Sequence, residues 1–171
     1  MKTVKIIALV LSLTLLLCGC GLDALRDMIP EKTYTHEGVS INLPSNFIDY
    51  STTSLAEGKD FVFANDQIGV MGLRESKEDL YSYFGEEYDA QSYANLIAEL
   101  YELGTTATEK DGFWNLSYTQ EVDGTSYTYL CVFHETASDF WNIQAYCSAE
   151  EYANLQDTLW TYATTVQFTE N

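Results

Sequence analysis

Basic residues are scarce. Eight Lys and Arg stand against 26 Asp and Glu in 171 residues, giving a formal net charge of −18. Phosphate backbones are gripped by basic patches, so nucleic-acid binding is all but excluded. Electrostatic adhesion to anionic lipid is disfavoured for the same reason. Histidine is scarcer still, and His36 and His134 are the only side chains able to act as general bases near neutrality without a perturbed pKa. They fall in separate strand-like segments with no Gly-x-Ser-x-Gly elbow around either, so no catalytic residue is assigned. His-Glu-x-x-His, paired Cys-x-x-Cys and calcium-loop spacings are all missing, which predicts neither a dedicated metal site nor a cofactor. No apolar run approaches the roughly 20 residues that span a bilayer, and there is no internal repeat. What remains is 46% hydrophobic and 14% aromatic, enough apolar surface for one core in a chain of this length.

The first twenty residues carry the clearest signal. Lys2 and Lys5 precede an apolar run from Ile6 to Leu17, followed by Leu17-Cys18-Gly19-Cys20. A charged start, a short apolar middle and a small-residue cleavage site make a secretory signal. The same four residues resemble a bacterial lipobox, with Leu three positions before the obligatory Cys and a small residue directly before it. The resemblance implies removal of residues 1–19 and a diacylglycerol on the Cys20 sulfur, with further acylation of its amine. Two or more chains anchor stably where one binds only marginally. Cleavage there would strip two Lys and no acid, leaving side chains that sum to −20. Residues 20–32 lack strand periodicity and read as a tether, which leaves 33–171 as a single domain.

Within that domain Val39 to Leu43 alternates as a half-buried strand ending at Pro44, and Phe61–Ala64 and Ile68–Leu73 flank a turn at 65–67. Ser76-Lys77-Glu78-Asp79 matches a capping box for a short helix ending at Gly85. Asp89 to Leu103 fits a longer helix with Asp89 as N-cap, Gly104 as stop, and Tyr93, Leu96, Ile97, Leu100 and Leu103 on one face. Phe113–Glu121 and Thr125–Glu135 are alternating runs joined by Asp123-Gly124, the dipeptide of a type I′ hairpin. That turn pairs Trp114 with Phe133, Leu116 with Cys131 and Tyr118 with Tyr129. A third strand, Phe140 to Cys147, presents Trp141, Ile143, Ala145 and Cys147 on one side and Phe140 and Tyr146 on the other. Both sheet faces thus require cover. A second long helix, Ser148 to Thr164, is expected to open with the box Ser148-Ala149-Glu150-Glu151, and a short strand to follow at Val166–Phe168. A two-residue loop at Ala137-Ser138 sets Cys131 opposite Gln144 and Cys147 opposite Thr128, too far apart to bridge, so both should be buried free thiols.

The order of a Gly-Val-Ser-Ile-Asn-Leu-Pro-Ser strand (Gly38 to Ser45), a helix, a Tyr-rich meander, Phe140-Trp141-Asn142-Ile143, a Cys and a helix ending in Val-Gln-Phe is similar to small lipoproteins of the PsbP-like/DcrB-like superfamily. The resemblance implies an α+β fold, an antiparallel sheet with helices on both faces, and a non-catalytic accessory or binding role. It assigns no catalytic residue. The expected protein is therefore a lipid-anchored, extracytoplasmic binding domain on the cell membrane. A rival reading is an envelope-polymer hydrolase with paired carboxylates. The thirteen Tyr suit either half-buried strands or an aromatic ligand surface. Glu75, Glu78, Asp79, Glu86, Glu87 and Asp89 form the densest acidic run and the candidate surface for a basic envelope protein or peptide.

Overall fold

The computed structural model describes residues 29–169. The leader, Cys20 and most of the tether lie outside them. Ten strands form two antiparallel sheets among the described residues, and three α-helices pack on them. The small sheet holds β1 (Glu31–His36), β2 (Val39–Pro44) and β10 (Gln167–Phe168) in the order β1-β2-β10. The large one contains β3 (Ile48–Asp49), β4 (Phe61–Ala64), β5 (Ile68–Ser76), β6 (Thr108–Lys110), β7 (Phe113–Val122), β8 (Thr125–Glu135) and β9 (Asp139–Ser148). Its order is β3-β4-β5-β9-β8-β7-β6. The helices are α1 (Lys77–Phe84), α2 (Ala90–Leu100) and α3 (Tyr152–Thr164). β1 begins at Glu31, two residues before the expected start of the domain.

Two-residue turns fix much of the register. Asp123 and Gly124 both have positive φ, at 50° and 80°, as a type I′ turn requires, and Val122 faces Thr125. Trp114–Phe133, Leu116–Cys131 and Tyr118–Tyr129 then pair as the dipeptide dictates. The same geometry recurs at Glu37-Gly38 between β1 and β2 and at Asp111-Gly112 between β6 and β7. The β8–β9 hairpin pairs Cys131 with Gln144 and Cys147 with Thr128, and both cysteines are buried and unbridged.

Both faces of the large sheet are covered. On one, Leu130, Val132, Ile143 and Ala145 meet Leu155, Leu159 and Ala163 of α3, together with Val39, Ile41 and Leu43 of the small sheet. On the other, Leu116, Cys131, Phe133 and Phe140 meet Leu80 of α1 and Tyr93, Ala94 and Ile97 of α2. The helix starts follow local chemistry: Ser76 Oγ accepts from the Asp79 N–H, and Asp89 and Ser92 close a reciprocal capping box.

Two expectations require correction. First, α2 stops at Leu100, short of Leu103, because Glu102 adopts φ 51° and a Schellman pair forms. The Leu103 N–H reaches the Ala98 carbonyl at 3.0 Å, and the Glu102 N–H reaches Glu99 at 3.1 Å. Leu100 is consequently 55% exposed and not part of the apolar face. Second, α3 starts at Tyr152 with no side-chain cap, since β9 claims Ser148 by pairing it with Tyr127. Helices pack on both faces as expected, and the face carrying α3 also receives the small sheet.

Candidate functional site

Strand pairing brings five side chains together on the face beneath α2. Leu73 pairs with Asn142, Met71 with Gln144, and Gln144 with Cys131. Farther along, the one aromatic residue of α2 seals the sheet: Tyr93 stacks on Phe140 at 4.6 Å and meets Phe133 edge-on at 5.7 Å. Where α2 ends, the cover ends with it. A cavity of about 650 Å³ opens there, floored by Met71, Leu73, Cys131, Asn142 and Gln144. Ile97, Tyr101 and Leu103 wall one side, Gly58, Lys59 and Asp60 before β4 another, and Tyr118 a third.

Asn142 sets this cavity apart. The residue is 3% exposed, and its Oδ1 has no hydrogen-bond partner. An unpaired buried acceptor costs about 1–3 kcal/mol, and native proteins hold few of them. Asp60, Arg74 and Glu75, which also line the cavity, are engaged. Asp60 accepts from the Arg74 backbone N–H at 2.7 Å and lies 3.7 Å from its Nε, while the guanidinium sits 5.5 Å over the Trp141 ring. Glu75 accepts from the Tyr93 hydroxyl at 2.6 Å. Burial first, and that carboxylate second, push the Tyr93 phenol well above its ordinary range. Burial also pushes the Cys131 thiol up, so it stays protonated and behaves as a small apolar residue.

The six acidic residues occupy several local settings. Glu75 and Asp79 line a shallow groove with Tyr83 and Leu100, whereas Glu78 and Glu87 line another with Tyr81 and Tyr88. Asp89 is spent as the N-cap of α2, where its bonds to Ser92 hold its carboxyl below the usual range. Glu86 accepts from the Tyr88 hydroxyl at 2.7 Å, and that bond heads the causes that push the phenol up to about 12. Glu78, Asp79, Glu86 and Glu87 are exposed, beside Tyr83 at 83% exposure.

No family model matches the chain, and no curated protein matches it. Solved structures do. A Bacteroides thetaiotaomicron protein aligns at 14% identity over 82% of this chain with a TM-score of 0.54, and the chain spans about half of that protein, 49%. LpqN, involved in cell envelope biogenesis of Mycobacterium tuberculosis, aligns at 16% identity over 86% of this chain and 96% of its own, with a TM-score of 0.51. Cyanobacterial PsbP from Synechocystis sp. PCC 6803 aligns at 11% identity over 88% of this chain and 95% of its own, with a TM-score of 0.45. The first two share the fold of this α+β domain. At such identities the likeness extends to fold alone.

The histidines lie away from the cavity. His134 is on the α3 face, paired with Trp141, and it is buried. Its ring sits between Phe113 and Phe168, at 5.1 and 5.2 Å, and Nε2 donates to the Ala163 carbonyl at 2.8 Å. It thereby caps one of the carbonyls that the end of α3 leaves free. Burial holds the imidazole below its ordinary range, with the Ala163 bond opposing. The folded protein therefore favours the neutral ring, while the unfolded chain protonates it near pH 6.5. The stability it contributes is complete above about pH 6.5 and is lost as pH falls through the depressed folded value. Acidification also relieves carboxylate repulsion, so the comparison must be with His134→Gln. The stability advantage of wild type over that variant should shrink by up to about 1.4 kcal/mol per pH unit below pH 6.5. Urea unfolding at several pH values checks this, and an advantage that holds constant or grows in acid contradicts it.

Sequence reasoning overlooked the floor of the cavity. Asn142 and Gln144 stand between Phe140 and Tyr146 on a sheet face that needs cover, and two amides inside an apolar alternation were the available signal. Asp111-Gly112 was a second missed signal, being the same dipeptide that set the β7–β8 register.

Proposed function

We propose that this chain is a lipid-anchored, extracytoplasmic accessory domain that binds another envelope component without catalysis. The observation that carries the reading is the cavity over Asn142, which offers an unpaired buried acceptor. Cys131 is a protonated thiol, Asp60 is paired with Arg74, and His134 lies on the opposite face. A concave, mostly preformed pocket with a few convergent polar groups is the usual form of a binding site. The shared fold of LpqN, a protein involved in cell envelope biogenesis, agrees with an envelope role. The lipobox-like Leu17-Cys18-Gly19-Cys20 supplies the anchor.

Side chains summing to −20 after cleavage favour a partner that is basic at its contact surface. Crosslinking in native membranes should capture such a protein or peptide. Its association should slow as salt rises, because exposed charges are screened over about 8 Å at physiological ionic strength. Replacing Glu78, Asp79, Glu86 and Glu87 together by Gln or Asn should reproduce that loss at low salt. The melting temperature should barely move, since Ser76 caps α1 through the Asp79 backbone and not its carboxylate. A captured partner indifferent to both salt and the four substitutions removes the acidic surface from the reading.

A further inference from the structure

We infer that the cavity over Asn142 binds a secondary amide on an uncharged ligand, an assignment that rests on the binding role proposed above and names the chemistry it serves. The floor is the first argument. In a chain with 26 acids, the polar residues at the bottom of the cavity are two neutral amides, Asn142 and Gln144, both buried. Of the carboxylates that line the cavity, Asp60 and Glu75 are already engaged by Arg74 and Tyr93, and an anion would be repelled by the charge of the whole domain. Asn142 Oδ1 requires a hydrogen-bond donor that the protein does not supply.

Spacing is the second argument. Asn142 and Gln144 sit two apart on one face of β9, about 7 Å along the strand. A carboxamide between them can give its N–H to Asn142 and take a bond from the Gln144 amide, each near 2.9 Å. A side-chain amide both donates and accepts, and another amide matches it on both counts with its N–H and C=O set apart, so that it spans a gap a single hydroxyl oxygen does not. The walls are the third argument. Met71, Leu73, Ile97 and Leu103 offer apolar contact to the methyl or alkyl groups flanking such an amide. The volume of about 650 Å³ falls in the range that encloses a small ligand.

Secondary amides of this kind occur in N-acetylated sugars and in peptides. The full-length protein in detergent should therefore be titrated by ligand-observed NMR with N,N′-diacetylchitobiose and, separately, with N-acetyl-alanine N′-methylamide. At least one should bind saturably, and which one does identifies the source. Replacing the amide N–H of that probe by an ester oxygen should weaken binding about tenfold or more, because Asn142 is again left unpaired. Asn142→Leu should weaken it at least as much while leaving the melting temperature unchanged or higher, since the unpaired buried oxygen is gone. Leu73→Trp, which fills the cavity from its floor, should also abolish binding.

Failure to bind either amide overturns the assignment, as does binding that survives Asn142→Leu or Leu73→Trp. A protein that captures its salt-sensitive partner but neither probe would retain its binding role and lose this ligand. Cleavage of diacetylchitobiose, in contrast, would support amide binding and overturn the non-enzymatic reading.

Discussion

Cys20→Ser should move the protein from the membrane fraction to the soluble extracytoplasmic fraction, or stall it as an uncleaved precursor. The effect should be close to all-or-none. Each buried methylene of an acyl chain contributes about 0.8 kcal/mol of membrane affinity, so losing two or more chains removes many powers of ten in partitioning. Among the described residues nothing replaces that affinity: no helix there is long and apolar enough to cross a membrane, and an acidic domain is repelled by anionic lipid. Intact-mass measurement of the wild-type protein extracted from membranes should give a chain that starts at Cys20 and carries acyl groups. A soluble wild-type product starting at another residue sinks the lipoprotein reading and leaves the fold untouched.

Gly72→Val should be the most damaging conservative change in the sheet. Gly72 faces Phe61 across the β4–β5 pair, and a Cβ at position 72 would overlap the Phe61 ring. That ring cannot swing away. Phe61 is fully buried, stacked on Phe63 at 5.2 Å and 6.4 Å from Trp141. Overpacking a filled core costs about 1–3 kcal/mol, and with an immovable neighbour the upper end applies, a drop of about 10 °C in melting temperature. Phe61→Leu in the same background should restore part of the loss, which a double-mutant cycle reads as coupling. Gly69 presents the same geometry to Tyr146, but that ring is only half-buried, so Gly69→Ala should cost less. Equal losses at the two positions would place the strain in the backbone of β5 rather than in the rings.

The meander was legible because a two-residue turn leaves no freedom. Once Asp123-Gly124 takes positive φ at both positions, every pair from Val122–Thr125 to Trp114–Phe133 follows, and with it the face of each side chain. The small sheet was harder. β1 reads Glu-Lys-Thr-Tyr-Thr-His, and only Tyr34 in it is buried, so no alternation marks it as a strand. At Ser148 a correct local signal lost to a longer-range one, because strand pairing claimed the residue first. The end of α2 depended on Glu102 accepting a conformation that usually goes to glycine, while Gly104 two residues on looked the better stop. The cavity inherits that difficulty. It exists because α2 ends early, so its floor could be listed from the alternation of β9 but its opening could not.

The small sheet bears on how the chain reaches its final shape. β2 lies between β1, its neighbour in sequence, and β10, the last described strand. A chain emerging from N- to C-terminus can close the β1–β2 hairpin at once, but the other edge of β2 stays bare until Gln167 and Phe168 arrive. For most of its emergence the chain thus carries an unpaired edge flanked by Val39, Ile41 and Leu43, a template on which another chain can dock. The final assembly step is consequently brief in sequence and late in time, and a chaperone that shields nascent strands would find its natural target at β2.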